Sequence, residues 1–208
     1  MNKWLLIMML VIGSTAHAQN TWTAVSDKAE FKNKVQQSTN GLKTLMADFV
    51  QEKHLSFLEE TVTSTGVFYF KKANQVRWEY KEPNAYFILI NDKTITTVMN
   101  GKETTIDASK NKTFREINKI MLGSINGDII NHPDFESNLF ESSEGYKLHL
   151  IPQVKALSNV ISEIVVWFDK ENMSVVQLKM IEASEDFSLI KFENKKLNVE
   201  VPDRMFAP

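Results

Sequence analysis

Large apolar residues alternate with charges along Val76-Arg77-Trp78-Glu79-Tyr80, and just upstream Gly66-Val67-Phe68-Tyr69-Phe70 is apolar on both faces. Alternation with period two marks a strand whose two faces meet different surroundings. Lys71-Lys72-Ala73-Asn74 separates the two runs, so residues 66–83 read as a β-hairpin. If its turn preserves parity, Phe68, Phe70, Val76, Trp78 and Tyr80 share one face. So much aromatic surface on one ribbon suits either an ordinary β core or a wall that receives an apolar ligand.

The same reading extends along the chain. Residues 26–37 predict a helix, with Asp27 and Glu30 spaced as a capping box and Ala29, Phe31 and Val35 as its apolar stripe. Asn40-Gly41 ends it. Leu42 to Met46 reads as a further helical turn running into Ala47-Asp48-Phe49-Val50-Gln51, the entry to the first strand, for which helix continuation is the alternative. Strands are expected near 61–71, 75–82, 85–91, 94–100 and 102–107, the last two joined by Asn100-Gly101, the preferred dipeptide of a two-residue type I′ hairpin. Thr113 and Glu116 then mark a second helix start, with Phe114, Ile117, Met121 and Ile125 at helical spacing. Gly123, Gly127 and Pro133 close that segment. Strands resume near 136–142, 145–151, 160–168, 173–182 and 186–194, with an extended piece at 197–201. About ten or eleven short strands at hairpin spacing indicate a mainly β (α+β) chain, an incomplete antiparallel β-barrel whose open face is capped by helices.

The N-terminus changes the picture of where this fold resides. A basic Met1-Asn2-Lys3, an apolar run from Trp4 to Ile12 and Ala16-His17-Ala18 form a secretory leader, cleaved after Ala18. That run is too short to cross a bilayer, which takes about 20 residues. One domain over residues 19–208 is expected, without linker or repeat. Loss of Lys3 with the leader moves the formal charge from -2 to -3, which is no footprint for nucleic acid. The chain has no cysteine. It therefore holds no disulfide, no thiolate nucleophile or thiolate metal site, and no lipid-modified cysteine behind the leader.

Candidate chemistry is sparse. His54, His132 and His149 are scattered, and His149 between Leu148 and Leu150 belongs on a solvated strand face, so no metal is expected. No G-x-S-x-G, P-loop or G-x-G-x-x-G occurs, and no carboxylate is isolated among apolar neighbours. Neither catalysis nor a cofactor is expected. The apolar surplus is the stronger signal. Ile88, Ile90, Val165, Trp167, Leu178 and Met180 extend it from other strands, and Met99, Met121 and Met180 are flexible side chains that adapt to irregular ligands. On these residues alone a dry core and a ligand cavity satisfy the pattern equally.

Four features resemble the periplasmic outer-membrane lipoprotein carrier (LolA) family. They are Phe49-Val50-Gln51, Gly66-Val67-Phe68, Arg77-Trp78-Glu79-Tyr80 and Pro83, in the family's order and at compatible spacing. The resemblance implies a half-barrel whose helical lid covers a cavity for lipoprotein acyl chains. It implies a periplasmic carrier, expected as a monomer, loaded by an inner-membrane ABC transporter and unloaded at an outer-membrane acceptor. Under it the cavity wall draws on Phe49, Phe68, Phe70, Val76, Trp78 and Tyr80, with Met99, Ile117, Met121, Trp167 and Met180 from elsewhere. Lys72 takes the place of the family's lid-latching arginine, and lysine lacks the planar fork of arginine. Ala73 replaces a proline, and Asp92-Lys93 a D-G turn, which mark a divergent member. A sensor of acylated proteins on the same half-barrel, signalling through a protein partner, is the alternative function. An acyl-directed enzyme is a third reading, for which no nucleophile or acid–base pair is visible.

Overall fold

Twelve strands form one antiparallel sheet in a computed structural model that describes residues 21–72, 75–91, 93–107, 110, 120, 122, 123, 125 and 127–208. In chain order they are β1 (Thr23–Ala24), β2 (Thr44–Leu55), β3 (Glu60–Lys71), β4 (Gln75–Glu82), β5 (Tyr86–Ile90), β6 (Thr94–Met99) and β7 (Lys102–Asp107). The remainder are β8 (Phe135–Glu141), β9 (Gly145–Pro152), β10 (Ile161–Asp169), β11 (Val175–Glu182) and β12 (Phe187–Leu197). Two α-helices, α1 (Lys28–Thr39) and the single turn α2 (Lys155–Ser158), and 3₁₀ turns at Asp128–Asn131 and Asp203–Phe206 complete the described elements.

The spatial order is β1-β8-β9-β10-β11-β12-β2-β3-β4-β5-β6-β7. Two meanders, β2–β7 and β8–β12, are thus joined side by side where β12 pairs with β2. The sheet does not close, so the expected incomplete barrel is an open sheet of twelve strands rather than ten or eleven. The outermost strand β7 is exposed at every residue.

Local sequence accounts for the turns and caps. Asp27 Oδ1 accepts the N–H groups of Ala29 and Glu30, both at 3.0 Å, which starts α1 as the capping pattern requires. Phe31 and Val35 face the core while Ala29, expected in the stripe, is exposed. Asn100 and Gly101 both take positive φ, 51° and 72°, and Met99 faces Lys102, the geometry of a type I′ hairpin. The helical turn expected at 42–46 gives way to strand, because β2 already begins at Thr44, and 47–51 is strand and not continued helix, with Leu45, Ala47 and Phe49 alternating along the inner face. The second expected helix falls largely outside the described residues, as do its start at Thr113 and Glu116 and the leader.

The inner face carries two apolar clusters. One packs Phe31 and Val35 of α1 on β8–β10, with the Phe31 ring 4.8 Å from Tyr146 and 5.1 Å from Phe168. The other lies on β2–β6 and β12 around Phe49, Phe68, Phe70 and Val76. Ile120 belongs to the first cluster, while Leu122 and Ile125 pack on the second, so this short stretch bridges the two halves.

Candidate functional site

Cross-strand register assembles the wall of the site. Ala47, Phe68, Trp78 and Ile88 stand opposite one another on β2, β3, β4 and β5, and all project to the inner face. Alternation explains the R-W-x-Y run: Trp78 and Tyr80 point inward, while Arg77 and Glu79 point out. Outside, the Arg77 guanidinium pairs with Glu79 at 2.7 Å, lies 3.6 Å from the Phe87 ring centroid and donates to the Met205 carbonyl at 3.2 Å. Inside, Phe49 packs 5.1 Å from both Trp78 and Tyr80. The Tyr80 hydroxyl donates to Gln51 Oε1 at 2.7 Å, and its ring stacks on Tyr86 at 4.5 Å. Burial, with the neighbouring Tyr86, raises the Tyr80 pKa far above the usual phenol value. The separated motif segments 49–51, 66–68 and 77–80 thus meet in one cluster.

Between the two apolar clusters lies a cavity of about 170 Å³. Its sheet side is built by Leu45, Ala47, Phe68, Trp78, Ile190 and Phe192. Ile164, Val175, Leu178 and Met180 close it from the second meander, and Ile120, Ile125, Leu42 and the end of α1 lie over it. Leu178 packs against both clusters and so marks the seam. The lining is almost entirely apolar, apart from a polar rim that includes Ser174 and Lys195.

One polar atom in this wall lacks a partner. Trp78 Nε1 is buried and donates to no acceptor among the described residues. Buried donors are ordinarily satisfied, because desolvating one without compensation costs about 1–3 kcal/mol. Trp78 lines the cavity, so an oxygen placed there, of a ligand or of water, can accept from it.

The candidate residues separate clearly. Phe68, Trp78 and Met180 line the cavity. Phe49, Phe70, Val76 and Tyr80 stand in the cluster behind it and hold the wall in place. Met99 shares their face through Tyr86 but lies at the end of β6, 44% exposed and away from the cavity. Trp167 sits between Val166 and Phe168, both fully buried in the first cluster, so the pleat turns it to the opposite face. Ile117 and Met121 lie outside the described residues. Lys72 is in the exposed turn after β3; its N–H donates to the Lys43 carbonyl at 2.7 Å, and its side chain latches nothing among the described residues. The adjacent Lys71 instead pairs with Asp203. Leu45, Ile190 and Phe192 were not among the sequence candidates, although Leu45-x-Ala47-x-Phe49 and Ile190-x-Phe192 carry the same two-residue alternation, and Lys195, which with Lys196 reads in the sequence as a turn charge, lies instead within β12 at the cavity. His149 is on the outer face as expected, against Glu163 and the Phe140 ring.

Residues 40–208 match the family model described as outer membrane lipoprotein carrier protein LolA. No curated protein matches significantly. Several solved structures are similar at low identity. The MucB–MucA complex of Pseudomonas aeruginosa is 12% identical, with 88% of this chain and 62% of that chain covered and a TM-score of 0.52. An uncharacterized conserved protein of Thermus thermophilus is 11% identical over 85% of this chain and 91% of that one, TM-score 0.50. A LolA superfamily protein of Nitrosomonas europaea is 12% identical over 88% and 99%, TM-score 0.48.

Proposed function

Since the chain belongs to the outer membrane lipoprotein carrier protein LolA family, we propose that it is a periplasmic carrier that shelters lipoprotein acyl chains in the cavity between its two meanders. The observation that carries this reading is the apolar seam itself, walled by Phe68, Trp78, Leu178 and Met180 and open to a polar rim. Acyl groups carry a carbonyl oxygen beside an apolar tail, and that oxygen would supply the acceptor Trp78 lacks. The protein works by binding, without a catalytic step or cofactor. No helix among the described residues is long and apolar enough to cross a membrane.

Energetics explain the need for such a site. Each buried methylene is worth roughly 0.8 kcal/mol, so one long acyl chain in water costs on the order of 10 kcal/mol. A carrier that matches this burial without exceeding that of a bilayer accepts cargo from an inner-membrane ABC transporter. It then yields the cargo to an outer-membrane acceptor, downhill. The cavity of about 170 Å³ is close to the roughly 150 Å³ that admits a benzene molecule, well short of a membrane-anchoring chain. Loading therefore requires the seam to widen. Ile120, Leu122 and Ile125, which bridge the two clusters, are the residues that move aside in this proposal.

Native mass spectrometry of the protein taken gently from its own periplasm tests the reading, together with uptake of a triacylated peptide. Bound acylated peptides, with slower hydrogen exchange at 120–125 on uptake, are expected. Copurification with a regulatory protein instead of transporter components would favour the sensor. A clean mass with no uptake of the peptide would overturn the cavity reading.

A further inference from the structure

Lys195 occupies the one place where β12 leaves regular pairing with β2. The register slips between Glu193 and Lys196, and Asn194 takes a positive φ of 50° with its Nδ2 donating to Asp48 Oδ2 at 2.8 Å. Bulges of this kind re-aim a side chain. Asn194 and Lys196 are exposed, whereas Lys195 is half-buried and reaches the cavity rim. Its Nζ donates to Ser174 Oγ at 2.5 Å and to the Val175 carbonyl at 3.2 Å.

Both acceptors are neutral. No carboxylate among the described residues pairs with this ammonium, which has three protons to donate. A negative field reaches it from Asp169, whose Oδ1 accepts the N–H groups of Glu171 and Asn172 at 2.9 Å. Burial pushes the Lys195 pKa down, and Asp169 only partly opposes it. A half-buried cation held by neutral dipoles at the mouth of an apolar cavity is a poor use of a lysine for stability alone. It is a good use for receiving an anion. From β12 the wall continues through Ala47 and Phe68 to Trp78 on β4. Three strand spacings amount to roughly 14 Å, the reach of a medium-length acyl chain.

We propose that Lys195 is a head-group site, and that the cavity selects single-chain acyl amphiphiles with an anionic head, a fatty carboxylate or an acylglycerol phosphate. The inference rests on the cavity being a lipid site and goes beyond it, because ester- or amide-linked acyl groups present no anion to Lys195. Such an amphiphile would compete with acylated cargo for the seam.

Isothermal titration of the purified chain with palmitate, hexadecanol and a lysophosphatidate tests this. A charge-assisted bond makes palmitate or the lysophosphatidate bind about tenfold tighter than hexadecanol, and whichever binds tighter identifies the anion. Lys195→Met should weaken the anionic ligands to the level of hexadecanol and leave hexadecanol unchanged, whereas Lys195→Arg should keep the preference. Equal affinity of all three ligands for the unaltered chain overturns the assignment without recourse to a variant. So does a preference that survives in a Lys195→Met protein of unchanged melting temperature. If a triacylated peptide binds while no anion preference exists, only the Lys195 site falls. If nothing acylated binds, the carrier reading falls with it.

Discussion

The ring of Phe49 lies across Gly66, its partner in the β2–β3 ladder: a Cβ on Gly66 would stand 2.6 Å from Phe49 Cζ and 2.0 Å from the carbonyl oxygen of Glu79. The second distance is the more severe, because a ladder carbonyl cannot swing aside as a side chain can. Gly66 thereby lets β4 approach while Phe49 covers the gap and meets Trp78 and Tyr80. Gly66→Ala should cost about 2–3 kcal/mol by forcing strand and ring apart. Chemical denaturation checks this, and Phe49→Leu in the same background should recover part of the loss.

Trp78 offers a test of ligand chemistry that separates binding from folding. Its indole N–H is buried without an acceptor among the described residues, so removing the donor should cost the empty protein little beyond the smaller ring. Trp78→Phe is expected to change stability by about 1 kcal/mol or less, while weakening an acyl ligand roughly threefold to tenfold through loss of the carbonyl contact. The weakening should vanish for a plain alkane. Paired denaturation and titration experiments measure both.

Alkaline pH should expose the buried phenol. The folded-state pKa of Tyr80 lies above the ordinary 10.0, chiefly through burial, and Tyr69 and Tyr86 shift the same way. Above the ordinary value the unfolded chain releases protons that the folded chain still holds. This contribution is therefore complete below about pH 10 and is lost as pH rises further. Thermal melts between about pH 9 and pH 11.5 should show the decline. Tyr80→Phe should reduce the slope without abolishing it, and should cost about 1 kcal/mol at neutral pH by leaving Gln51 without its donor.

Much of this was legible in the chain, because strand alternation is a local signal. The hairpin at Asn100-Gly101, the inward Trp78 and Tyr80 and the outward His149 all follow from period two and turn chemistry. Trp167 shows where that signal stops. Val165, Trp167 and Phe168 are all apolar, so composition does not reveal which parity faces the core; the neighbours Lys147 and Gln177 decide it, and they are distant in sequence. Met99 shares a parity with the wall, yet position along the strand, not face, removes it from the cavity. Lys195 was hidden for a different reason: it reaches the rim through a bulge, which shifts parity within the strand.

Whether the cavity is a binding site or merely imperfect packing is decided by filling it. Ala47 is buried in the centre of the wall, beside Phe68 and under the seam, and it lines the cavity with only a methyl group. Ala47→Leu adds three carbons to that space. If the added groups enter the cavity without strain, burial at roughly 0.8 kcal/mol per methylene should raise stability by about 2 kcal/mol. The same change obstructs the path between the Lys195 rim and Trp78, so uptake of a triacylated peptide should fall at least about tenfold. A gain in stability with loss of uptake means that the protein keeps the space for a ligand at the expense of its own packing. A gain in stability with uptake intact would place the acyl site elsewhere. A loss of stability of about 1–3 kcal/mol would mean that the wall cannot accept the larger side chain, in which case Ala47→Val, smaller by one carbon, repeats the test.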